Sequence, residues 1–307
     1  MVSVYQANKL IFVSAGDSGH LVQSSQDFEV PMGIAVGKDL LNVATRDQIV
    51  TLSYSHALAS RYPQQSDTCD GQYVPQTRYP CGPLKIHDLA WGTDELWAVN
   101  TLFSCLAVTD GQHSLNFRWH PPFISELVPE DRCHLNGIAM LDHRPEFVTA
   151  LGKTNSSEGW RARKTSGGIV MHVPSGEVVL GDLPMPHTPR IYGNELYLLL
   201  SAMGELVRVD VAQGKYEIVT RMRGFVRGMA RYDNYVFVGL SQLRRKSPTF
   251  SDIPIARDSP FCGIVAIDLA QGTIVGHLKY ETTCQEIYDI QALPGLRRPG
   301  LIRASEQ

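Results

Sequence analysis

The chain has 307 residues, 43% of them hydrophobic and 19% charged, with a formal net charge of −3. That balance excludes the broad basic surface a nucleic-acid binder needs. The only local basic cluster is Arg244-Arg245-Lys246, with a weaker group at Arg297 and Arg298, and the first reads as a solvated loop. No stretch approaches the roughly 18 apolar residues that span a bilayer, and the start, MVSVYQANKLIFVSAGDSG, lacks the regions of a secretory signal.

Six cysteines, at 69, 81, 105, 133, 262 and 284, form no CxxC pair and suit the reduced thiols of a cytoplasmic protein. Cys69 and Cys81 bracket one loop and could pair in an exported protein, which the sequence leaves open. Glycine (26) and proline (18) are frequent, and Val, Ile, Leu and aromatic residues come in short bursts. This is the texture of many short strands joined by turns.

Taken along the chain, one plan recurs: a small or apolar start, a turn at Gly or Asp, then two strands. Gly33-Ile34-Ala35-Val36 leads to GKDLLNVATRDQIVTLS, and His87-Asp88-Leu89-Ala90 to GTDELWAVNTLFSCLAVTD. Asn136-Gly137-Ile138-Ala139 leads to PEFVTALGKTN, Pro189-Arg190-Ile191 to GNELYLLLSAMGELVRVDVAQGKYEIV, and Arg227-Gly228-Met229-Ala230 to DNYVFVGLSQLRRK. Matching Ile34, Leu89, Ile138, Ile191 and Met229 gives intervals of 55, 49, 53 and 38 residues, suited to a four-stranded blade plus loops.

The sixth start, Glu286 to Ala292, has only about fifteen residues after it. NKLIFVSAGDSGHLVQSS near the N-terminus has no inner strand before it, and it matches GNELYLLLSAMGELVRVD. The economical solution is one domain over residues 1–307, an all-β, six-bladed β-propeller. Its last blade takes the inner strand from the C-terminus and the others from the N-terminus, so that no sheet edge stays open. Residues 286–293 should then lie beside residues 9–14. Ala212-Gln213-Gly214 and Ala270-Gln271-Gly272 read as hairpin turns between third and fourth strands, with structural aspartates before them.

Residues 61–84, 153–168 and 244–261 break the repeat, and such long loops suit a cover over the axial face. In the second of them, Asn155, Glu158, Trp160, Arg161 and Arg163 would suit a lid.

The starts of inner strands from different blades meet at the axis, and here they are chemically rich: His87-Asp88, His134-Leu135-Asn136, His187-Thr188-Pro189-Arg190, Arg227, and Glu286 with Tyr288-Asp289. Three imidazoles, His87, His134 and His187, could hold zinc, iron or copper with one coordination position open. Asp88 or Glu286 would tune a ligand or move a proton, with Asn136 beside them. Arg190 and Arg227 would orient an anionic substrate. This predicts a metal-dependent enzyme acting on a small anionic or peptide substrate at the axial mouth. The rival expectation is a non-enzymatic module that binds a peptide or a small anionic metabolite there.

The stretches IHDLAWGTDELWAVNTLFSCLA, CHLNGIAM, ALGKTNSSEGWRARKTSGG, PHTPRIYGNELYLLLS and GFVRGMA resemble a family of uncharacterised bacterial proteins expected to be β-propellers. The resemblance implies the fold and a site built from the His, Asn, Trp and Arg residues of these motifs. It implies no reaction. A looser likeness is to six-bladed propellers of the lactonase and strictosidine-synthase class, whose metal-binding carboxylate and asparagine pattern is not cleanly present.

Overall fold

A computed structural model describes residues 1–16, 19–61, 69–109, 114–243, 250 and 253–302. Six antiparallel sheets stand around an axis, so the chain is a six-bladed β-propeller. Blade 1 contains Ile34–Val36, Leu40–Ala44, Gln48–Ser55 and Gly71–Pro80, running from the axis outward. Blade 2 contains Ile86–Trp91, Leu96–Asn100, Cys105–Thr109 and Asn116–Trp119. Blade 3 contains Leu135–Leu141, Arg144–Ala150, Gly168–His172 and Val178–Leu183. Blade 4 contains Pro186–Tyr192, Glu195–Leu200, Glu205–Asp210 and Lys215–Arg221. Blade 5 contains Phe225–Tyr232, Tyr235–Ser241, Cys262–Asp268 and Thr273–Tyr280.

Blade 6 closes the ring. Its inner strand is Asp289–Ile290, followed outward by Val2–Val4, Lys9–Ala15 and Leu21–Asp27. The two ends of the chain therefore share a sheet, as expected, with one refinement. Val2 to Val4, too short to stand out in sequence, lies between the C-terminal strand and Lys9–Ala15. The match of Lys9–Ala15 to Glu195–Leu200 thus equates a third strand with a second. A further strand, Pro299–Leu301, pairs parallel with the outer edge of blade 1, so the C-terminal segment ties blade 6 to blade 1 twice.

Apolar clusters fill the wedges between blades. Between blades 4 and 5, for example, Leu199 and Leu206 pack on Val226, Met229, Val236 and Val238. Both expected hairpins form, with Gly214 and Gly272 at φ 61° and 65°. Asp210 accepts the Gln213 N–H, and Asp268 accepts those of Ala270 and Gln271, so these aspartates shape turns.

Of the presumed loop 61–84, residues Gly71–Pro80 are in fact the fourth strand of blade 1, while 62–68 lie outside the described residues. The Arg244-Arg245-Lys246 cluster lies outside them too. The other two insertions meet: Trp160 of one packs with Phe250, Ile253 and Ile255 of the other, on Leu151, Met185 and Phe225 at the inner-strand starts. These described parts cover the side of the axial face above blades 3 to 5.

The inner strands explain the repeat. Corresponding positions read Gly33, Asp88, Gly137, Arg190, Gly228 and Asp289, alternating glycine with charge around the ring. A Cβ on Gly33 would lie 2.7 Å from the Asp88 Cα, and one on Gly228, at φ 72°, 2.6 Å from the Asp289 Cα. Odd blades therefore give up a side chain so that the charged neighbour can approach.

Candidate functional site at the axial mouth

Each inner strand of blades 2 to 5 slips register at its polar residues. The slips fall between Ile86 and Leu89, Leu135 and Gly137, His187 and Arg190, and Val226 and Met229. Such bulges leave the ladder locally unpaired and re-aim side chains. They are how His87, Asp88, Asn136, Thr188, Arg190 and Arg227 come to line one axial hollow, together with His187, Tyr288 and Asp289.

The floor is a charge cluster. Arg190 donates to both Asp88 oxygens, at 2.8 and 3.1 Å, and its Nη2 lies 3.9 Å from Asp289. The carboxylates also accept backbone N–H groups of the next blade: Asp88 that of Ile138 at 3.1 Å, Asp289 that of Ile34 at 2.9 Å. Thr188 takes the Gly228 N–H in the same way at 3.1 Å. Burial raises the Asp289 carboxyl above its ordinary range while Arg190 opposes that shift. Asn136 donates to the Pro186 carbonyl and accepts from Thr149, bridging blades 3 and 4. Asp88, Arg190 and Asn136 are thus engaged with protein groups in this structure.

The histidines come partly together. His87 and His134 meet edge to face with ring centroids 4.9 Å apart, and His134 lies 4.3 Å from the Trp160 ring. Their Nδ1 atoms are committed, His87 to the Lys85 carbonyl at 2.8 Å and His134 to the buried Asp131 carboxylate at 3.0 Å. Nδ1 of His187 bonds the Met185 carbonyl at 3.0 Å, and its Nε2 faces Arg227 Nη2 at 3.4 Å. Burial pushes His87 and His187 well below the usual imidazole range. The second cause is the neighbouring His134 for His87 and the Arg227 charge for His187.

This corrects the expected metal centre. Among the described residues no group of three or more His, Cys, Asp or Glu could hold a metal ion. His87, His134 and His187 share an axial neighbourhood but not a coordination point: two meet ring to ring, and the third turns its free nitrogen to a guanidinium that would repel a cation. Zinc, iron or copper held by these three, and a metal-dependent enzyme built on them, therefore drop out. Among the described residues no disulfide joins any two cysteines, Cys69 and Cys81 included.

Arg227 is the outlier. Its side chain is 8% exposed, lies over the Tyr288 ring at 4.6 Å and the Phe225 ring at 5.3 Å, and its Nε has no hydrogen-bond partner. Among the described residues no carboxylate pairs with it, and burial lowers its pKa from the ordinary value. Glu286, also buried, instead accepts the hydroxyl of Tyr5, whose ring meets that of Tyr288 edge to face. Burial raises the Glu286 carboxyl to about 7.

Of the expected lid residues only Trp160 joins the mouth. Arg161 stacks on it at 4.5 Å and pairs with Glu158, Asn155 bonds Ser125 and Arg132, and Arg163 pairs with Asp182. Sequence reasoning missed Asp131, Tyr5 and Phe225. An Asp three residues before His134 was the available signal. Larger hollows, about 750 Å³ between blades 3 and 4 and about 990 Å³ between blades 2 and 3, lie among outer-strand residues away from this chemistry.

A protein-family model described as a domain of unknown function, DUF4915, matches residues 1–302. The chain belongs to the DUF4915 family. A search of curated protein sequences gives no match. Among solved structures, a chain of a nidogen/laminin complex is similar at 11% identity and a TM-score of 0.61, covering 94% of this chain and 96% of that one. Virginiamycin B lyase from Staphylococcus aureus is similar at 13% identity and a TM-score of 0.44, with 76% and 71% covered. At 11% identity, the likeness of the DUF4915 chain to the nidogen/laminin chain shows the fold alone. No helix among its described residues is long and apolar enough to cross a membrane.

Proposed function

We propose that the protein is a binding module that holds a small anionic molecule at the axial mouth. The observation that carries this is Arg227. A buried guanidinium without a counter-charge is costly, and an anion arriving from solvent would remove that cost. The contrast with Arg190, saturated by Asp88, marks Arg227 as the one of the two that still has binding capacity. The neutral rings of His87 and His187 add lone pairs but no competing charge.

The occupant is small rather than a threaded peptide. The lining residues surround about 230 Å³ of space not filled by atoms, part of it open to solvent.

Thermal unfolding with rising concentrations of a small carboxylate, against chloride at equal ionic strength, tests the reading. Ligand at a hundredfold excess over Kd stabilises by about 2.7 kcal/mol. The wild-type protein should show such a rise and the Arg227→Met variant should not. Equal responses in both proteins would remove Arg227 from the site.

A further inference from the structure

We propose that the molecule bound at the mouth is a small hydroxycarboxylate, its carboxylate on Arg227 and its hydroxyl donating to Nε2 of His87. This rests on the anion-binding reading above and adds the class of ligand.

The hydrogen-bonding capacity left over at the mouth is of two kinds. Arg227 supplies donors: its Nε has no partner, and its Nη2 makes only the 3.4 Å approach to His187. Trp160, buried and lying against the His134 ring, adds its indole N–H, which has no partner. His87 supplies an acceptor. Its Nδ1 faces a carbonyl oxygen, which can only accept, so that nitrogen carries the proton and Nε2 carries the lone pair. Burial keeps the ring neutral, although its edge reaches solvent. Arg227 and His87 lie against the same ring, that of Tyr288, at 4.6 and 5.7 Å from its centroid.

An occupant that satisfies both needs an oxyanion for Arg227 and, a few atoms away, a hydrogen-bond donor for His87. A carboxylate is planar and matches the edge of a guanidinium. The donor should be uncharged. An ammonium group would cancel the ligand's own charge and leave Arg227 uncompensated, whereas a hydroxyl keeps the net charge at minus one.

Other charged groups near the mouth do not alter this balance. Asp88 pairs with Arg190 on the floor, Asp289 faces both Arg190 at 3.9 Å and the buried Met1 amine, Asp131 is held by His134 and by Lys85 at 3.5 Å, Glu286 receives the Tyr5 hydroxyl, and Arg161 pairs with Glu158.

The test is calorimetric titration of the full chain with acetate, propionate, glycolate, 3-hydroxypropionate, glycine and inorganic phosphate. A site that hydrogen-bonds a ligand hydroxyl discriminates against the analogue that lacks it. At least one hydroxy acid should bind about tenfold more tightly than its deoxy counterpart, a difference of about 1.4 kcal/mol. His87→Leu should bring that ratio to about one, and His87→Gln, which keeps an acceptor oxygen, should restore part of it. Acids that bind through Arg227 with no hydroxyl advantage would overturn the ligand class and leave the anion site standing. Tighter binding of glycine or phosphate than of any hydroxy acid would overturn it as well. Failure of every anion to bind would overturn the anion site, and this proposal with it.

Discussion

Arg190 of blade 4 and Asp88 of blade 2 join across the propeller axis through two hydrogen bonds, of 2.8 and 3.1 Å, although 102 residues separate them. Both side chains are mostly buried, and Asp88 also accepts the Ile138 N–H of blade 3. Removing one partner of such a pair leaves an uncompensated charge, which costs about 3–5 kcal/mol. Arg190→Met alone should lose stability on that scale in urea unfolding. Asp88→Asn should recover much of it when combined, because it removes the charge and keeps an acceptor for Ile138. Additive losses in the double variant would show that the two residues do not act as a pair.

Arg227→Met should behave in the opposite way. Its guanidinium has no carboxylate to leave stranded among the described residues, so in ligand-free buffer the variant should be as stable as the wild type or more so. A loss of several kcal/mol in a ligand-free unfolding curve would mean that the charge is compensated within the protein.

Ser3 latches the ring. Its hydroxyl donates to the Met32 carbonyl at 2.7 Å and accepts the Asp289 N–H at 3.0 Å, with the residue fully buried. Ser201 and Ser241 make similar bonds to the next blade, at the Val226 and Ile287 carbonyls. Ser3→Ala leaves two buried backbone groups unsatisfied and should cost about 1–3 kcal/mol by chemical denaturation. Deletion of residues 1–15 removes two strands of blade 6 and should abolish the single cooperative transition. A truncated chain that melts like the intact one would contradict the closure.

Glu286 sets a pH dependence. Its carboxyl, ordinarily near 4.5, is raised by burial to about 7 in the folded protein. The folded state therefore holds the proton more tightly than the unfolded chain. The stability it contributes is complete below about 4.5 and is lost as pH rises through about 7, up to about 3 kcal/mol in all. The buried amine of Met1, lowered from 8.0 to about 6, has the opposite slope at higher pH, so the readout is a difference. Glu286→Gln should gain stability relative to wild type between pH 5 and pH 8. A constant gap between the two proteins over that range would refute the shift.

The sequence by itself determined the fold, because a propeller is a repeat. Each blade must bury the same faces, so Gly33-Ile34, Gly137-Ile138 and Gly228-Met229 recur in every second blade, where an inner strand is approached by the charged residue or proline of its neighbour. It also pointed to most of the residues that line the axial hollow, since inner-strand starts have one place to go, although Glu286 instead meets Tyr5. What they do there was decided only by tertiary structure. A bulge of one residue rotates a side chain, and hydrogen bonds to distant backbone decide which nitrogen of an imidazole is free. His87 spends Nδ1 on Lys85 and His187 turns Nε2 to Arg227, so three histidines that read as metal ligands are not one. Arg190 and Arg227 stand one position apart in the repeat, yet one finds two carboxylates across the axis and the other finds aromatic rings. Pairing across about a hundred residues of sequence leaves no local trace, and that is why the site needed the fold to be read.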